Sequence, residues 1–217
     1  MVQATSLTEV AALIEQRRVD VAGANPVGSR LPHVSSRLVV GIAGEPGAGK
    51  STIAALLVAA LGPTAALLPM DGYHLPQARL RELGRRDRMG AADTFDVAAF
   101  VSAVRAVHNS CTTHYAADFD RDIEEPVPDA LTFKPELRTV IVEGNYLLHW
   151  PEVLELLDLT FFVDVPADIR QQRLIERHVR FGKSPADATA WALGPDESNA
   201  ALIRLSAGRA DHVIRLD

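Results

Sequence analysis

A glycine-rich segment at residues 44–51 holds the residues best suited to chemistry. Its sequence, GEPGAGKS, matches the pattern G-x-x-x-x-G-K-[S/T] at every required position. Glycines let the backbone curl so that successive N–H groups point inward, and the start of a following helix adds partial positive charge, so the segment can bind phosphate oxygens. We expect Lys50 to reach the β- and γ-phosphates of a nucleoside triphosphate and the Ser51 hydroxyl to bind Mg²⁺. The predicted nucleotide-binding residues here are Gly44, Glu45, Pro46, Gly47, Ala48, Gly49, Lys50, Ser51 and Thr52.

Acids that end apolar segments are candidates for binding the metal. VIVEG places Glu143 at the end of one predicted strand, and FFVD places Asp164 at the end of another. Ligands bind at the carboxyl ends of parallel strands, so either acid could hold Mg²⁺ directly or through water. Asp164 could instead cap the helix that begins at Pro166. We therefore predict Glu143 as the metal-binding acid and keep Asp164 as the alternative.

Asp71 is a third acid of this kind, and it follows an earlier apolar segment in the sequence MDGYH. A carboxylate at that place could orient a hydroxyl group and accept its proton during phosphoryl transfer. Asp71-Gly72 is also a common turn dipeptide. The residues alone leave both roles open.

Four arginines recur at i, i+3, i+7 and i+10 of the helix predicted to begin at Pro166, and they share one face: Arg170, Arg173, Arg177 and Arg180. A cationic face cannot be buried without anions. It is therefore either solvated and partly paired with Glu176, or it closes over nucleotide phosphates as a lid. Gly182 and Pro185 end the helix in a polar segment, as a movable flap would require.

These residues need a fold that brings strand ends and helix starts together. The predicted strands are residues 37–43, 65–70, 139–142, 159–163 and 212–216. The predicted helices are residues 6–18 and 50–61, a short one within 75–92, one after Asp96 and one from Pro166, with a loop at 21–36.

Strands that alternate with helices predict an α/β fold. We expect a three-layer P-loop NTPase sandwich, with a mainly parallel central sheet, helices on both faces and a helical lid at about residues 170–195. Residues 1–36 would form an N-terminal helix and loop extension, and residues 37–217 would form one P-loop domain.

Composition limits the partners and the location. The net charge of −6 argues against a general nucleic-acid or anionic-membrane partner. The first residues lack the basic run and the cleavage pattern of a signal peptide. Cys111 is the one cysteine of the sequence, so a disulfide within the chain and a cysteine-based zinc site are excluded. We expect a cytoplasmic protein without nucleic-acid or membrane partners, with a homodimer as one option.

Four motifs in this order resemble a known group of P-loop kinases: MDGYH, GAADTFD, IVEGNYLL and RLIERHVR. The group contains uridine kinases, bacterial pantothenate kinases and phosphoribulokinases, and the resemblance covers about residues 37–217. The branch described as nucleoside-kinase-like or fructose-transport-associated is the most similar. The resemblance implies that Asp71 activates the acceptor, that Glu143 is the acid after the later strand, and that Arg173 and Arg177 lie in the lid.

The resemblance also implies that the acceptor binds at a loop formed by residues 115–121, although uridine kinases have a histidine where this chain has FDR followed by EEP. The predicted substrate-binding residues are Asp71, Tyr73, His74, Tyr115, Phe119, Asp120 and Arg121. Five acids crowd this loop and the residues directly after it, and they would repel a phosphorylated acceptor: Asp118, Asp120, Asp122, Glu124 and Glu125. This favours a neutral polyhydroxyl acceptor, unless the loop is solvated and distant from the site.

The sequence therefore predicts an ATP- and Mg²⁺-dependent kinase that transfers the γ-phosphate to a hydroxyl of a neutral metabolite such as a nucleoside, a sugar or a pantothenate-like compound. Lys50, Asp71 and Arg177 are the predicted catalytic residues, and Arg180 joins the nucleotide-binding set. One alternative is a P-loop ATPase or GTPase switch, although the guanine-reading N-K-x-D and transporter-type L-S-G-G-Q sequences are absent. A second alternative is a nucleoside monophosphate kinase, which the acidic loop disfavours.

Overall fold

Six parallel strands form the central sheet of the computed structural model, which describes residues 2–23, 37–109 and 111–215. Numbered along the chain, they are β1 (Val2–Ala4), β2 (Leu38–Gly44), β3 (Ala65–Pro69), β6 (Thr139–Gly144), β7 (Leu159–Val163) and β8 (His212–Ile214). β4 (His114–Asp120) and β5 (Glu125–Phe133) form a separate antiparallel hairpin. The order across the sheet is β1-β8-β7-β2-β6-β3, which places β2 and the loop that follows it near the centre.

The two faces of the sheet bury separate apolar clusters because side chains alternate along each strand. In β2, Leu38, Val40 and Ile42 belong to one cluster, whereas Val39 and Ala43 belong to the other. All seven residues of β2 are buried. This pattern is typical of a central parallel strand that is covered by helices on both faces.

Helices cover both clusters. The α-helices are α1 (Leu7–Gly23), α2 (Lys50–Leu61), α3 (Gln77–Glu82), α4 (Val97–Asn109), α5 (Pro151–Leu154), α6 (Ala167–Arg180), α7 (Pro185–Trp191) and α8 (Glu197–Arg204) in the ranges that the structure describes. α1 and α2 contribute to the cluster of Leu38, and α4 and α5 contribute to the cluster of Val39. The predicted three-layer α/β sandwich with a parallel sheet is confirmed.

The segment predicted as an acceptor-binding loop, residues 115–121, is mostly a β-strand. Most of residues 115–121 belong to strand β4, and only Arg121 lies in the turn before β5. The hairpin forms because Ala116 and Phe133 pack into the cluster of Val39, which gives these polar strands one buried side. Acidic residues on the other side hid that alternation in the sequence.

Other elements differ from the sequence prediction at the ends of the chain. Val2–Ala4 pairs with β8 as a parallel strand, so residues before α1 join the central sheet. Within the helical lid predicted at about residues 170–195, the polar segment after Gly182 contains α7 and a π-helical segment, Ala192–Asp196. α1 extends to Gly23. The rest of the predicted loop, 24–36, and the end of the last predicted strand, Leu216, lie outside the described residues.

The helices within the described ranges are too short or too polar to cross a membrane.

Candidate active site

The phosphate-binding loop connects the buried end of β2 to the first residue of α2. Gly47 and Gly49 adopt positive φ angles of 79° and 88°, which glycine accepts without strain. A Cβ atom at position 47 would also lie 2.5 Å from the carbonyl oxygen of Arg170. The loop therefore packs directly against the backbone of α6, and this contact requires glycine.

Lys50 is buried at the start of α2, with 8% of its surface exposed. Its Nζ donates a hydrogen bond of 3.0 Å to the carbonyl oxygen of Glu45. Burial lowers the pKa of Lys50 to about 8, although the carboxylates of Glu143 and Asp71 oppose this shift. The side chain therefore remains mostly protonated at neutral pH, as binding of phosphate oxygens requires.

The side chain of Glu45 contacts two arginines of the protein. Its carboxylate lies 2.6 Å from Arg170 of α6 and 2.7 and 3.0 Å from the Nε and Nη2 atoms of Arg204 of α8. Only 7% of Glu45 is exposed. The carboxylate thus anchors the loop to both helices.

Ser51 and Glu143 form a pair of oxygen donors beside the loop. The Ser51 hydroxyl donates a 3.0 Å hydrogen bond to Oε1 of Glu143, which is 4% exposed. Burial and then the nearby Asp71 raise the pKa of Glu143, while Lys50 and the Ser51 hydrogen bond oppose the rise. Hydroxyl and carboxylate oxygens are the ligands that Mg²⁺ prefers, so these residues fit a magnesium ion.

The alternative acid, Asp164, has another partner. Its carboxylate accepts hydrogen bonds of 2.7 Å from Arg215, beyond the end of β8. Among the described residues, no cluster of three or more acids, histidines or cysteines could hold a metal by itself. A magnesium ion at Ser51 and Glu143 would need phosphate oxygens to complete its coordination, which is usual for nucleotide-bound Mg²⁺.

Asp71 lies in the 3₁₀ turn Met70–Tyr73 directly after β3. Pro69 is the register partner of Glu143, and a Cβ atom on Gly144 would lie 2.5 Å from Met70, so the ends of β3 and β6 are tightly packed. This packing brings Asp71 to the same edge of the sheet as Lys50. Both residues line one cavity of about 170 Å³.

The Asp71 carboxylate is about a quarter exposed, and its Oδ2 accepts a 2.8 Å hydrogen bond from Arg121. Burial acts to raise the pKa of Asp71, but the electrostatic effects of His74 and then of Arg121 outweigh it and hold the pKa below its ordinary value. Asp71 is therefore ionised at neutral pH.

The cavity brings together half of the predicted site residues: Pro46, Gly47, Lys50, Ser51, Asp71, His74, Phe119, Arg121, Glu143 and Arg177. Three predicted substrate-binding residues lie elsewhere. Tyr73 packs against Phe100 with ring centroids 5.1 Å apart, and Tyr115 is 63% exposed on the outer side of the hairpin. Asp120 accepts hydrogen bonds from the backbone of the hairpin turn.

Sequence reasoning missed several residues of the cavity wall: Arg86, Phe95, Asn145, His178, Lys183, Trp191, Asp196 and Asn199. His178 lies 2.7 Å from Asp196, and the Lys183 ammonium lies 4.3 Å from the ring centroid of Trp191. His178 lies in α6, Trp191 in α7 and Asp196 in the π-helical segment, whereas Lys183 lies between α6 and α7. The motifs GAADTFD, IVEGNYLL and RLIERHVR contain Phe95, Asn145 and His178, so they were the available signal.

The five hairpin acids are mostly satisfied within the protein. Asp118 accepts a hydrogen bond from the backbone N–H of Phe119, and Glu125 accepts one from that of Gln77. Of the five acids, Glu124 lines the cavity, where it pairs with Arg86. The other four of these acids are not part of the cavity wall, and a neutral acceptor stays a prediction.

The arginines of α6 divide into two groups. Arg170 is 1% exposed and pairs with acids of the protein. The other three line a second cavity of about 320 Å³ with the phosphate-binding loop: Arg173, Arg177 and Arg180. Within the described ranges, the side chains of these three have no hydrogen bond or ion pair, and Glu176 instead bonds to Gln172. Arg177 lines both cavities.

The sequence of the chain matches a known protein family. The family model described as "Phosphoribulokinase / Uridine kinase family" matches residues 39–214. The chain belongs to this family. The resemblance predicted from the four motifs is therefore confirmed.

Individual relatives cover most of the chain. A uridine kinase of Clostridium perfringens is 32% identical over 145 residues, which are 66% of this chain and 67% of that protein. The uncharacterized protein YggC of Escherichia coli is 33% identical over 190 residues, which are 83% of this chain and 78% of that protein.

A solved structure, described provisionally as a fructose transport system kinase from Silicibacter sp. TM1040, superposes with a TM-score of 0.80. It is 32% identical and covers 97% of this chain and 99% of its own. Membership of this family, together with the phosphate loop, identifies the class of activity as that of a small-molecule kinase. The alternatives of a nucleotide switch and a nucleoside monophosphate kinase gain no support from these relatives.

Proposed function

We propose that the chain transfers the γ-phosphoryl group of ATP·Mg²⁺ to a hydroxyl group of a small molecule, with Asp71 as the general base. The observation that supports this most is the shared cavity of Lys50 and Asp71. Phosphoryl transfer needs a group that neutralises phosphate charge beside one that receives the proton of the attacking hydroxyl. These two side chains meet both needs at one edge of the sheet.

On the nucleotide side, the backbone N–H groups of residues 44–51 and the Lys50 ammonium would hold the phosphates. Ser51 and Glu143 would hold Mg²⁺, which neutralises charge on the phosphate oxygens when it is bound. Arg177 reaches both cavities, so it is suited to contact the phosphoryl group while that group moves between them. Arg173 and Arg180 would contact the rest of the triphosphate.

On the acceptor side, the ionised Asp71 would orient the hydroxyl and receive its proton as the bond to phosphorus forms. Arg121 donates to Oδ2 of Asp71, which leaves Oδ1 for the acceptor hydroxyl. Phe119 and His74 line the same cavity and would contact the rest of the acceptor.

The cytoplasmic location, the lack of nucleic-acid and membrane partners, the homodimer and the division at residue 36 stay predictions.

The Asp71→Asn variant tests the proposal. Asparagine keeps the shape of the side chain but cannot accept a proton, so we expect transfer to fall by at least about a hundredfold, the low end for a positioned general base. ATP affinity should stay within a few-fold because Asp71 does not contact the phosphates. Acceptor-dependent ADP release and calorimetric ATP titration measure the two quantities.

Asp164→Asn is the matched control, since Asp164 also follows a strand of the sheet but pairs with Arg215. Its transfer rate should remain within about threefold of the unmodified chain, as is usual for surface substitutions away from a site. An unchanged rate in Asp71→Asn would remove Asp71 from the mechanism.

A further inference from the structure

Arg121 lies at the boundary between the two cavities of the site. Among the residues that the structure describes, five line both cavities: Gly47, Lys50, Ser51, Arg121 and Arg177. The other four belong to the phosphate-binding loop, the start of α2 and α6, whereas Arg121 comes from the turn between β4 and β5. The proposed transfer gives Arg121 only the task of a donor to Asp71, although the phosphoryl group must cross this boundary.

The turn that carries Arg121 is held in place on both sides. At its start, the carboxylate of Asp120 accepts a 2.9 Å hydrogen bond from the backbone N–H of Asp122. At its end, the carbonyl oxygen of Glu124 accepts a 3.2 Å hydrogen bond from the side chain of Gln77 in α3. The backbone of Arg121 therefore has a defined place, from which its side chain reaches the boundary.

The guanidinium group of Arg121 bonds to the protein through one nitrogen. Nη2 donates a 2.8 Å hydrogen bond to Oδ2 of Asp71. Nε and Nη1 have no hydrogen bond or ion pair within the ranges that the structure describes. A guanidinium has five N–H donors in a planar fork, so it can bond a carboxylate and a phosphoryl oxygen at the same time. The side chain is 44% exposed, which leaves the free donors accessible to a ligand.

Lys50, Arg121 and Arg177 together bring positive charge to the boundary. Burial is the main cause that lowers the pKa of Lys50, and the charges of Arg177 and Arg121 add to this effect. The three cations therefore lie close enough to repel one another. The carboxylates of Asp71 and Glu143 neutralise only two of these three charges, so an anion that enters between the cations is stabilised. A phosphoryl group is the anion that the proposed transfer brings there.

We propose that Arg121 is a further catalytic residue, which contacts the phosphoryl group as that group passes from ATP to the acceptor. This inference rests on the proposed function and adds the hairpin to the catalytic site. Before the transfer, Arg121 pairs with the Asp71 carboxylate. During the transfer, its free N–H groups donate to phosphoryl oxygens from the side opposite α6.

The reaction itself changes which partner attracts Arg121 more strongly. The acceptor oxygen bonds to the γ-phosphorus, the bond from that phosphorus to the β,γ-bridging oxygen breaks, and ADP keeps the electron pair. The hydroxyl proton goes to Oδ1 of Asp71. Asp71 is then neutral and attracts Arg121 less, so the cation is left to the phosphoryl oxygens. An interaction that strengthens during the reaction acts on kcat more than on nucleotide binding.

A double-mutant cycle with Asp71 separates this role from a purely structural one. Arg121→Met removes the guanidinium and retains most of the apolar stem. If Arg121 only positions Asp71, this substitution should have no further effect once Asp71→Asn has removed the base. If Arg121 contacts the phosphoryl group, the substitution should slow the Asp71→Asn chain as well.

The measurement is the transfer of radiolabelled γ-phosphate from ATP to uridine, D-ribose or pantothenate, and the acceptor with the highest rate is used for every variant. We expect the double variant, Asp71→Asn with Arg121→Met, to be slower than Asp71→Asn by at least about tenfold, the lower end for a hydrogen bond to a charged group. ADP lacks the γ-phosphoryl group, so ADP affinity should stay within about threefold. The ADP titration also shows that the variants fold.

Arg79→Met is the matched control, because Arg79 is an exposed arginine of α3 that pairs with Glu82 and lies outside both cavities. Its transfer rate should be unchanged, and an equal loss there overturns the inference. A double variant as fast as Asp71→Asn also overturns it and leaves the kinase proposal intact. So does a loss of ADP affinity as large as the loss of rate, which would make Arg121 a ground-state contact. A chain that binds ATP but phosphorylates no member of the panel contradicts both proposals.

Discussion

The two ends of α6 present arginines at the same helical spacing in opposite surroundings. At the first turn, Arg170 is buried, lies 2.6 Å from Glu45 and 3.4 Å from Glu197, and donates a 3.1 Å hydrogen bond to the carbonyl oxygen of Pro46. At the later turns, Arg173 and Arg177 line the second cavity beside the phosphate-binding loop, with no ion pair to any residue that the structure describes.

This difference shows that the spacing of the arginines determines which face of the helix they share. It does not determine whether they pair with acids of the protein or bind a ligand. Where the protein supplies carboxylates, an arginine of the series becomes part of the core and holds the phosphate loop. Where it supplies none, the arginine remains free to neutralise a ligand. Gly47 also packs against the carbonyl oxygen of Arg170, so the first turn of α6 is in direct contact with the phosphate-binding loop.

Arg170→Met should show the largest effect. Methionine retains much of the apolar volume but leaves the Glu45 carboxylate buried with Arg204 as its remaining close partner. Removal of one member of a buried ion pair costs about 3–5 kcal/mol of the free energy of unfolding. Urea denaturation, monitored by tryptophan fluorescence, measures this loss.

The double variant Arg170→Met with Glu45→Gln provides the control for that experiment. Without the buried carboxylate, much of the lost stability should return, since replacing both partners of a buried pair is far less costly than removing one. A single variant as stable as the unmodified chain would show that the first end of α6 is not an anchor.

Arg177→Ala should have the next largest effect, and on catalysis rather than on stability. We expect turnover to fall by about a hundredfold, the usual cost of removing one donor that stabilises transition-state charge. ATP affinity should fall only a few-fold, because interactions made mainly in the transition state change kcat more than binding. Stopped-flow or coupled ADP assays and ATP titration separate the two.

Arg105→Ala, which removes an exposed arginine of α4, is the comparison for Arg177→Ala and should leave both quantities unchanged. If Arg177→Ala weakened ATP binding and left turnover intact, Arg177 would be a ground-state contact. Both ends of α6 would then have a binding role, the first end toward the phosphate-binding loop and the later turns toward ATP.

Arg204→Ala should show the smallest effect. Its side chain is 51% exposed, and Glu45 keeps Arg170 as a buried partner after the substitution. We expect a loss of about 1 kcal/mol or less in the free energy of unfolding, the range of exposed ion pairs. A loss as large as that of Arg170→Met would place the main anchor of the loop in α8 instead of α6.

The sequence by itself determined the parts of the protein that depend on local pattern. The run GEPGAGKS between a buried strand and a helix predicted the phosphate loop, and α2 spans Lys50–Leu61 as expected. Apolar segments predicted the inner strands β2, β3, β6 and β7 because central parallel strands are buried on both faces. The acids Asp71 and Glu143 were recognised because each ends such a strand.

Only the tertiary structure decided which of these groups meet. The hairpin of β4 and β5 was missed because its one buried side is formed by few residues, Ala116 and Phe133 among them, within a highly charged sequence. The partners of Arg170 come from the phosphate loop and from α8, far away along the chain. Local pattern fixes where a side chain lies on its own helix or strand, but charge neutralisation depends on what packs against it, and packing is decided by the whole fold.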